Sequence, residues 1–127
     1  MAAAPRLGFP RARRIKQGRD FTRVKSQGRR LVHGCLILNW LPLPAGTPTR
    51  LGVITSKKVG NAVVRSRARR LLRESFRLHQ NELLQSLDLV VVARPSLAGR
   101  PFSGVERDYL EALRRARLIP PSAPPPV

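Results

Sequence analysis

Six arginines lie within residues 60–77, GNAVVRSRARRLLRESFR, and the single acid among them is Glu74. A guanidinium group binds phosphate through two parallel hydrogen bonds. Arg65, Arg69, Arg73 and Arg77 follow one another at i,i+4, where like charges destabilise a helix. Such repulsion is relieved when a polyanion neutralises the charges. The spacing therefore predicts phosphate binding, in preference to an ordinary solvated helix face.

The acids offer no comparable chemistry. Two-metal hydrolysis needs carboxylates that converge on ions about 4 Å apart, and no motif clusters the seven acids of the chain: Asp20, Glu74, Glu82, Asp88, Glu106, Asp108 and Glu111. We expect the last three to be solvated partners of neighbouring arginines. The single Cys35 and the two histidines form no recognisable nucleophile or zinc pattern. We therefore predict no catalytic residue and no metal ligand in this chain.

The composition favours an RNA partner. The chain has 25 Lys+Arg against 7 Asp+Glu, a formal net charge of +18 over 127 residues, which predicts a polyanionic partner. All but four of these cations are arginine, which also stacks on bases. A hydrophobic content of 42% supports one globular domain. No apolar run is long enough for a membrane span or a secretory signal, so we predict a cytoplasmic protein, with a short organellar presequence as the minor alternative.

Periodicity and breakers predict the elements that must position the arginines. We expect a short helix in RDFTRVKSQG ending at Gly28, two strands at 31–41 and 50–56 joined as a long hairpin, a long helix from the arginine-rich segment to about Gln80, a buried strand at 87–93 and a helix at 104–116. Gly34 is expected to bend the first strand. The predicted organisation is a flexible basic arm over 1–15, one α/β domain over 16–117 and a disordered Pro-rich tail over 118–127.

These elements predict an α/β (α+β) sandwich, with a small mixed sheet flanked by helices. If strands 50–56 and 87–93 are parallel, the long helix connects them, with a right-handed crossover by the general rule. On that helix the predicted core face consists of Val64, Ala68, Leu71, Leu72, Ser75 and Leu78, and the arginines lie on the outer side, with Arg65 at the boundary. Because side chains alternate along a strand, Trp40 should lie on the other face of the strand from Asn39, where we expect it to pack in the core.

The segment SKKVGNAVVRSRARRLLRESFR resembles the signature of the protein subunit of bacterial ribonuclease P. DFTRV, RLGVITSKK and DLVVVARP extend the resemblance over roughly residues 9–116. The resemblance implies a subunit that binds the catalytic RNA and the 5′ leader of precursor tRNA, and that promotes endonucleolytic 5′ maturation of tRNA. Catalysis and the Mg²⁺ ions would lie mainly in the RNA. The implied fold has a left-handed β-α-β crossover, as in the second domain of ribosomal protein S5, contrary to the general rule.

The resemblance also implies two sets of binding residues. The RNA-subunit-binding set is Lys57, Lys58, Asn61, Arg65, Arg67, Arg69, Arg70 and Arg73. The cleft for the precursor-tRNA leader, between the first helix and the sheet, is lined by Phe21, Ile37, Asn39, Ser56, Arg65, Ser66 and Arg69. The alternative for Phe21 is a core position. Ser66, Lys25 and Asn39 depart from the family's usual amide and aromatics, so leader binding would depend more on charge than on stacking.

Two other classes of protein fit the charge. A ribosomal or other structured-RNA-binding protein without a catalytic role is the main alternative. A DNA-binding protein could use residues 61–80 as a recognition helix, but an outer face made almost entirely of arginine favours backbone contacts over base reading. The RNA recovered with the protein distinguishes a ribonuclease P subunit, which would bring down one dominant structured RNA outside the ribosome, from a ribosomal protein, which would bring down ribosomal RNA.

Overall fold

The computed structural model describes residues 13–121. It contains, in order, α1 (Gly18–Gln27), β1 (Arg29–His33), β2 (Leu36–Pro42), β3 (Arg50–Ile54), α2 (Ala62–His79), β4 (Leu87–Ala93) and α3 (Phe102–Arg115), with short 3₁₀ turns at Gln80–Glu82 and Pro95–Leu97. The four strands form one sheet in the order β1-β2-β4-β3. The predicted mixed sheet with flanking helices is confirmed.

The predicted strand over 31–41 is wrong, because it is two strands. Gly34 adopts a φ of +54°, in the region that favours glycine. It turns the chain so that β1 pairs with β2 as an antiparallel hairpin. A Cβ at Gly34 would also lie 2.2 Å from Oδ2 of Asp108, so no larger residue fits the turn without movement.

The predicted hairpin between this region and residues 50–56 is also wrong. β2 pairs antiparallel with β4, and β3 pairs parallel with β4, so β4 separates them. β4 reads LDLVVVA and six of its seven residues are buried. A strand buried on both faces takes an interior position in the sheet, which leaves β3 at the edge.

The connection from β3 to β4 runs through α2, as predicted. The two strands are parallel, with Leu51 opposite Leu89 and Val53 opposite Val91. α2 ends at His79, one residue before the predicted Gln80. The left hand of this crossover stays a prediction from the resemblance.

Helices cover the two faces of the sheet unequally. On one face α2 and α3 enclose the main core, which includes Leu36, Leu38, Leu89 and Val91. On the other face α1 packs over a smaller cluster of Ile15, Val24 and Val90. Trp40 belongs to the main core with 7% of its surface exposed, which confirms the predicted side of the strand.

The folded domain extends further at both ends than the sequence predicts. Residues 1–12 and 122–127, most of the predicted arm and tail, lie outside the described residues. Ile15 is buried, and its backbone N–H donates to the carbonyl of Leu51 at 2.9 Å. Leu118 and Ile119 are buried in the main core, because the turn after α3 folds them back onto it. The domain therefore extends through both boundaries that were expected at 15 and 117.

Candidate nucleic-acid interface

The start of α2 is fixed by a cap and a buried anchor. Asn61 is the N-cap, and its Oδ1 accepts a hydrogen bond from the backbone N–H of Val64 at 3.0 Å. Val59 is buried, and its N–H donates to the carbonyl of Ser56 at 3.1 Å. Lys57 and Lys58 are exposed on the turn that this Ser56–Val59 hydrogen bond closes, just before the N-cap. Asn61 therefore has a structural role at the point where the two lysines face solvent.

The buried face of α2 is the one that the periodicity predicts. Ala68, Leu71, Leu72 and Ser75 are buried, and Val64 and Leu78 are half-buried. The prediction missed Phe76, which is completely buried. The buried sector is wider than expected because α2 packs against both the sheet and α3.

The arginines of α2 differ in what holds them. Arg70 is exposed, whereas Nη2 of Arg67 donates to the carbonyl of Arg100 at 2.6 Å. Arg69 donates from Nη1 to Oγ1 of Thr55 at 2.8 Å and from Nη2 to Oγ of Ser66 at 3.1 Å. Arg67 therefore links α2 to the segment before α3, and Arg69 is held where β3 ends.

The rest of this surface lacks compensating negative charge. The pKa of Arg73 is lowered by burial and by the neighbouring charges of Arg14 and Arg69. Nε of Arg65 is buried without a hydrogen-bond partner. Glu74 is already bound by Arg77, with Nε of the arginine 2.9 Å from Oε2. The predicted repulsion between like charges is therefore present between Arg69 and Arg73. At Arg77 it is relieved, because Glu74 neutralises that arginine.

The side chain of Phe21, a residue of α1, lies against the sheet. Its position combines features of the two predicted roles, a core residue and a cleft residue. The glycine at position 52 makes room for its ring, because a Cβ there would lie 2.5 Å from Cε1 of Phe21. The ring packs against the small cluster of Ile15, Val24 and Val90 but is only half-buried. Phe21 is thus part of the packing on this face and still exposes part of its surface.

The other predicted cleft residues come from β2, β3 and α2. Ile37 is half-buried and lies opposite Val92 in the sheet. Asn39 is only 2% exposed, and its Nδ2 donates to the carbonyl of Val90 at 3.4 Å. Ser56 and Ser66 are exposed. The contacts join Ser66 and Arg69 at the end of β3, while Phe21 covers the middle of the same strand.

An ion-pair network around buried Asp88 holds α1 on the sheet, and sequence reasoning missed it. Asp88 of β4 is completely buried and accepts hydrogen bonds from Nε and Nη2 of Arg50 at 2.9 and 2.8 Å and from Nη2 of Arg23 at 3.1 Å. Asp20 lies 3.6 Å from Arg50 and 3.7 Å from Arg23. The hydrogen bond to Asp88 raises the pKa of Arg50. The signal in the sequence was Asp88 itself, an acid inside the apolar run LDLVVVA. A charge in a buried strand needs a partner, so its position indicated an ion pair with a distant cation.

The remaining acids also have basic partners. The expectation of a solvated acid is confirmed for Glu111, which pairs with Arg115 at 3.3 Å. It is wrong for Asp108, whose buried carboxylate accepts from the N–H of Cys35 at 3.0 Å and from Nη1 of Arg100 at 2.9 Å. Glu106 does not pair with an arginine of its own helix. It pairs instead with His79 of α2, at 3.0 Å.

The described residues offer little to a metal ion or a nucleophile. Within 13–121 no group of three or more His, Cys, Asp or Glu side chains is arranged to hold a metal. Burial, with a further contribution from Asp108, raises the pKa of the Cys35 thiol to about 12, so the thiol stays protonated at neutral pH. None of the helices in this part of the chain is long and apolar enough to cross a bilayer.

Comparison with known proteins agrees with this geometry. The family model for Ribonuclease P matches residues 9–117. The ribonuclease P protein component of Gluconacetobacter diazotrophicus is 41% identical over 107 residues, which cover 84% of this chain and 92% of that protein. The structure of the RNase P protein of Staphylococcus aureus superimposes with a TM-score of 0.79 at 27% identity and covers 87% of this chain and 100% of that one. For the RNase P protein of Thermotoga maritima the TM-score is 0.71 at 27% identity, over 80% of this chain and 96% of that one. The chain therefore belongs to the ribonuclease P family and is a protein component of that RNA-containing endoribonuclease.

Proposed function

We propose that this subunit binds the catalytic RNA through the outer face of α2 and the turn before it, and holds the 5′ leader of precursor tRNA in the cleft between α1 and the sheet. By holding both RNAs it promotes endonucleolytic removal of the leader. The observation that carries the proposal is the uncompensated charge along α2, where the pKa of Arg73 is lowered by burial and by its cationic neighbours.

The α2 surface suits an RNA backbone. Phosphates would supply the negative charge that this surface lacks. Arg69 needs no large rearrangement to take part, because Thr55 and Ser66 already fix its guanidinium. Lys57 and Lys58 extend the same charge along the turn. We therefore assign the predicted set of RNA-subunit contacts to one continuous surface, with Asn61 acting mainly as the helix cap.

The cleft suits an unpaired strand. The half-buried ring of Phe21 offers an aromatic surface over β3, the strand at whose end Arg69 is held, and base–aromatic stacking tolerates any base. Ile37 adds apolar surface, whereas Asn39 is buried and would act by keeping the β2–β4 packing in place. Ser66 orients Arg69 where the family usually has an amide. Leader binding would therefore rest on one aromatic ring and several cations.

The chemistry is assigned to the RNA. We propose that the Mg²⁺ ions that activate water are held there, because the carboxylates of this chain are already bound to arginines or to His79. No step of the reaction is assigned to a protein side chain. The bacterial relatives favour the cytoplasm as the compartment of this activity.

Cleavage of a 5′-extended precursor tRNA at low Mg²⁺ tests the proposal. A bacterial ribonuclease P RNA is assayed with and without the protein, and the protein is also assayed alone. We expect stimulation at the correct junction and no cleavage by the protein alone. Absence of stimulation with RNAs of both structural classes would contradict the proposal and would favour a structured-RNA-binding protein of another assembly.

Charge reversal on α2 tests the surface itself. Arg69→Glu combined with Arg73→Glu should weaken binding to the catalytic RNA and reduce the slope of log affinity against log salt by about 1.4 to 1.8, because each of the two lost phosphate contacts removes about 0.7 to 0.9. Arg107→Glu, on the exposed side of α3, controls for the general loss of positive charge. An unchanged slope in the double variant would remove α2 as the RNA surface.

A further inference from the structure

A second basic depression, of about 550 Å³, lies between β1 and the C-terminal end of α3. We call it the β1–α3 groove and define it by Arg29, Arg30, Arg115 and Arg117 on its rim and by Leu31 and Trp40 at its floor. The strand order places β1 at the edge opposite β3. Three strand spacings of about 4.8 Å separate these edges by roughly 14 Å. The groove is therefore remote from the α2 surface at the β3 side. It also lies on the face of the sheet that α3 covers, whereas Phe21 of the leader cleft packs on the α1 face.

Arg117 is the residue of this groove that the fold does not explain. It has a φ of +61°, and within residues 13–121 it is the only non-glycine residue with a positive φ. Its N–H donates to the carbonyl of Arg114 at 3.0 Å, and the N–H of Leu118 donates to that of Leu113 at 2.9 Å. These are the two hydrogen bonds of a Schellman turn, whose left-handed residue is usually glycine. A side chain here costs stability, and an arginine at so strained a position points to a use for the guanidinium.

The other three arginines have ordinary explanations when taken singly. Arg115 lies in the last turn of α3, where a cation favours the helix dipole, and its Nε is 3.3 Å from Oε1 of Glu111. Arg29 and Arg30 are exposed on an edge strand, where cations discourage pairing with other chains. Those explanations do not require all four groups to surround one depression. Glu111 compensates only part of their combined charge.

We propose that the β1–α3 groove is a second RNA-backbone site, which binds phosphodiester groups of an RNA segment separate from those at α2 and the leader cleft. The proposal rests on the proposed function for the identity of the RNA. Arginines around an apolar floor, with no Asn or Gln among the described residues that line the groove, suit phosphate contacts and not base reading. The segment belongs either to the catalytic RNA or to the body of the tRNA, and the experiment separates these sources.

The test uses Arg117→Gly, because this variant separates binding from folding. Glycine removes the guanidinium and also relieves the positive φ, so the melting temperature should rise or stay the same while RNA affinity falls. Arg29→Gln tests the opposite rim of the groove, and Arg107→Gln is the control on an exposed part of α3. Each groove variant should lose about tenfold in affinity at 0.1 M salt and about 1 in salt slope.

Two binding measurements identify the source of the phosphates. The first is binding of the protein to bacterial ribonuclease P RNA, and the second is binding of precursor and mature tRNA to the assembled complex. A loss in the first assigns the groove to the catalytic RNA. A loss confined to the second, equal for precursor and mature tRNA, assigns it to the tRNA body.

The proposal is overturned if both groove variants bind normally in both measurements, or if Arg107→Gln loses as much affinity as they do. Arg69→Glu with Arg73→Glu is measured in parallel to keep the two proposals apart. Weak binding by this α2 variant together with normal binding by the groove variants rejects the groove alone. Normal binding by the α2 variant counts against the proposed function.

Discussion

The two faces of the sheet are held together by different interactions. On the α2/α3 face, leucine and valine side chains of β2 and β4 lie in a closed core with Phe76 and Tyr109, both completely buried. On the α1 face, three buried apolar residues are surrounded by half-buried Phe21, Leu41, Ile54 and Val92. The first face provides most of the apolar burial, so the second can stay partly open to a ligand.

Charge replaces apolar area on the open face. Asp88, Arg50 and Arg23 tie α1 to β3 and β4 through hydrogen bonds between ionised groups. A buried ion pair adds less stability than a well-packed apolar contact, but it accepts only a narrow range of geometries. We interpret this network as the element that fixes the position of α1, and therefore of Phe21, on the face to which we assign the leader.

Adjacent residues of β2 give the largest predicted difference between the faces. Leu38 points into the main core and Ile37 lies on the α1 side, half-buried. Leu38→Ala should lower the free energy of unfolding by about 2–5 kcal/mol, and Ile37→Ala by about 1 kcal/mol. Urea denaturation measures both. Equal losses would contradict the division of the sheet into a closed and an open face.

Loss of the Asp88 carboxylate should have the next largest effect on stability. Asp88→Asn leaves Arg50 and Arg23 without their shared partner, and we expect a loss of about 2–4 kcal/mol in unfolding free energy. The complex should bind precursor tRNA less tightly, while the affinity of the protein for the catalytic RNA is kept. Asp20→Asn is the matched control, because its longer and more exposed ion pairs contribute under about 1 kcal/mol. Normal leader binding by Asp88→Asn would show that the network does not position the cleft.

The smallest predicted effect concerns the hydrogen bonds of His79 with two glutamates on the α2/α3 face. His79 of α2 contacts Glu82 and Glu106, and these hydrogen bonds outweigh burial and raise its pKa above the ordinary value of 6.5. The protonated ring therefore stabilises the fold fully below pH 6.5, and this contribution disappears as the pH rises through the raised pKa.

The comparison variant is His79→Gln. The difference in melting temperature between the native protein and this variant should be largest near pH 5.5 and should shrink toward pH 8.5. We expect it to correspond to under about 1 kcal/mol, because the site is partly exposed. A difference that does not change with pH would show that protonated His79 contributes nothing to the fold.

Sequence reasoning predicted the parts of this molecule that depend on local pattern. The core face of α2, the buried strand LDLVVVA and the crossover between parallel strands all follow from periodicity and order. The split at Gly34 was missed because the apolar residues continue on both sides of it. The boundary at 117 was misplaced because the turn that returns Leu118 to the core has an arginine where glycine is usual.

The site was predictable in its charge and not in its geometry. Spacing alone indicated the arginine surface of α2. The network around Asp88 joins residues 38 and 65 positions apart, so it depends on a strand order that no local pattern contains. The leader cleft remains a prediction from the family resemblance. The residues assigned to it lie on α1, β2 and α2, and no local pattern predicts how those elements come together.

The most direct test of the central claim is the preference of the assembled complex for precursor over mature tRNA, measured with the native protein and with Phe21→Ala. Stacking of one base contributes about 1–3 kcal/mol, so the variant should lose roughly tenfold of this preference while its affinity for mature tRNA is unchanged. The melting temperature is measured alongside, since the ring also packs against Gly52. Equal losses for both tRNAs, with a large drop in melting temperature, would return Phe21 to the core and contradict the assignment of the open face to the leader.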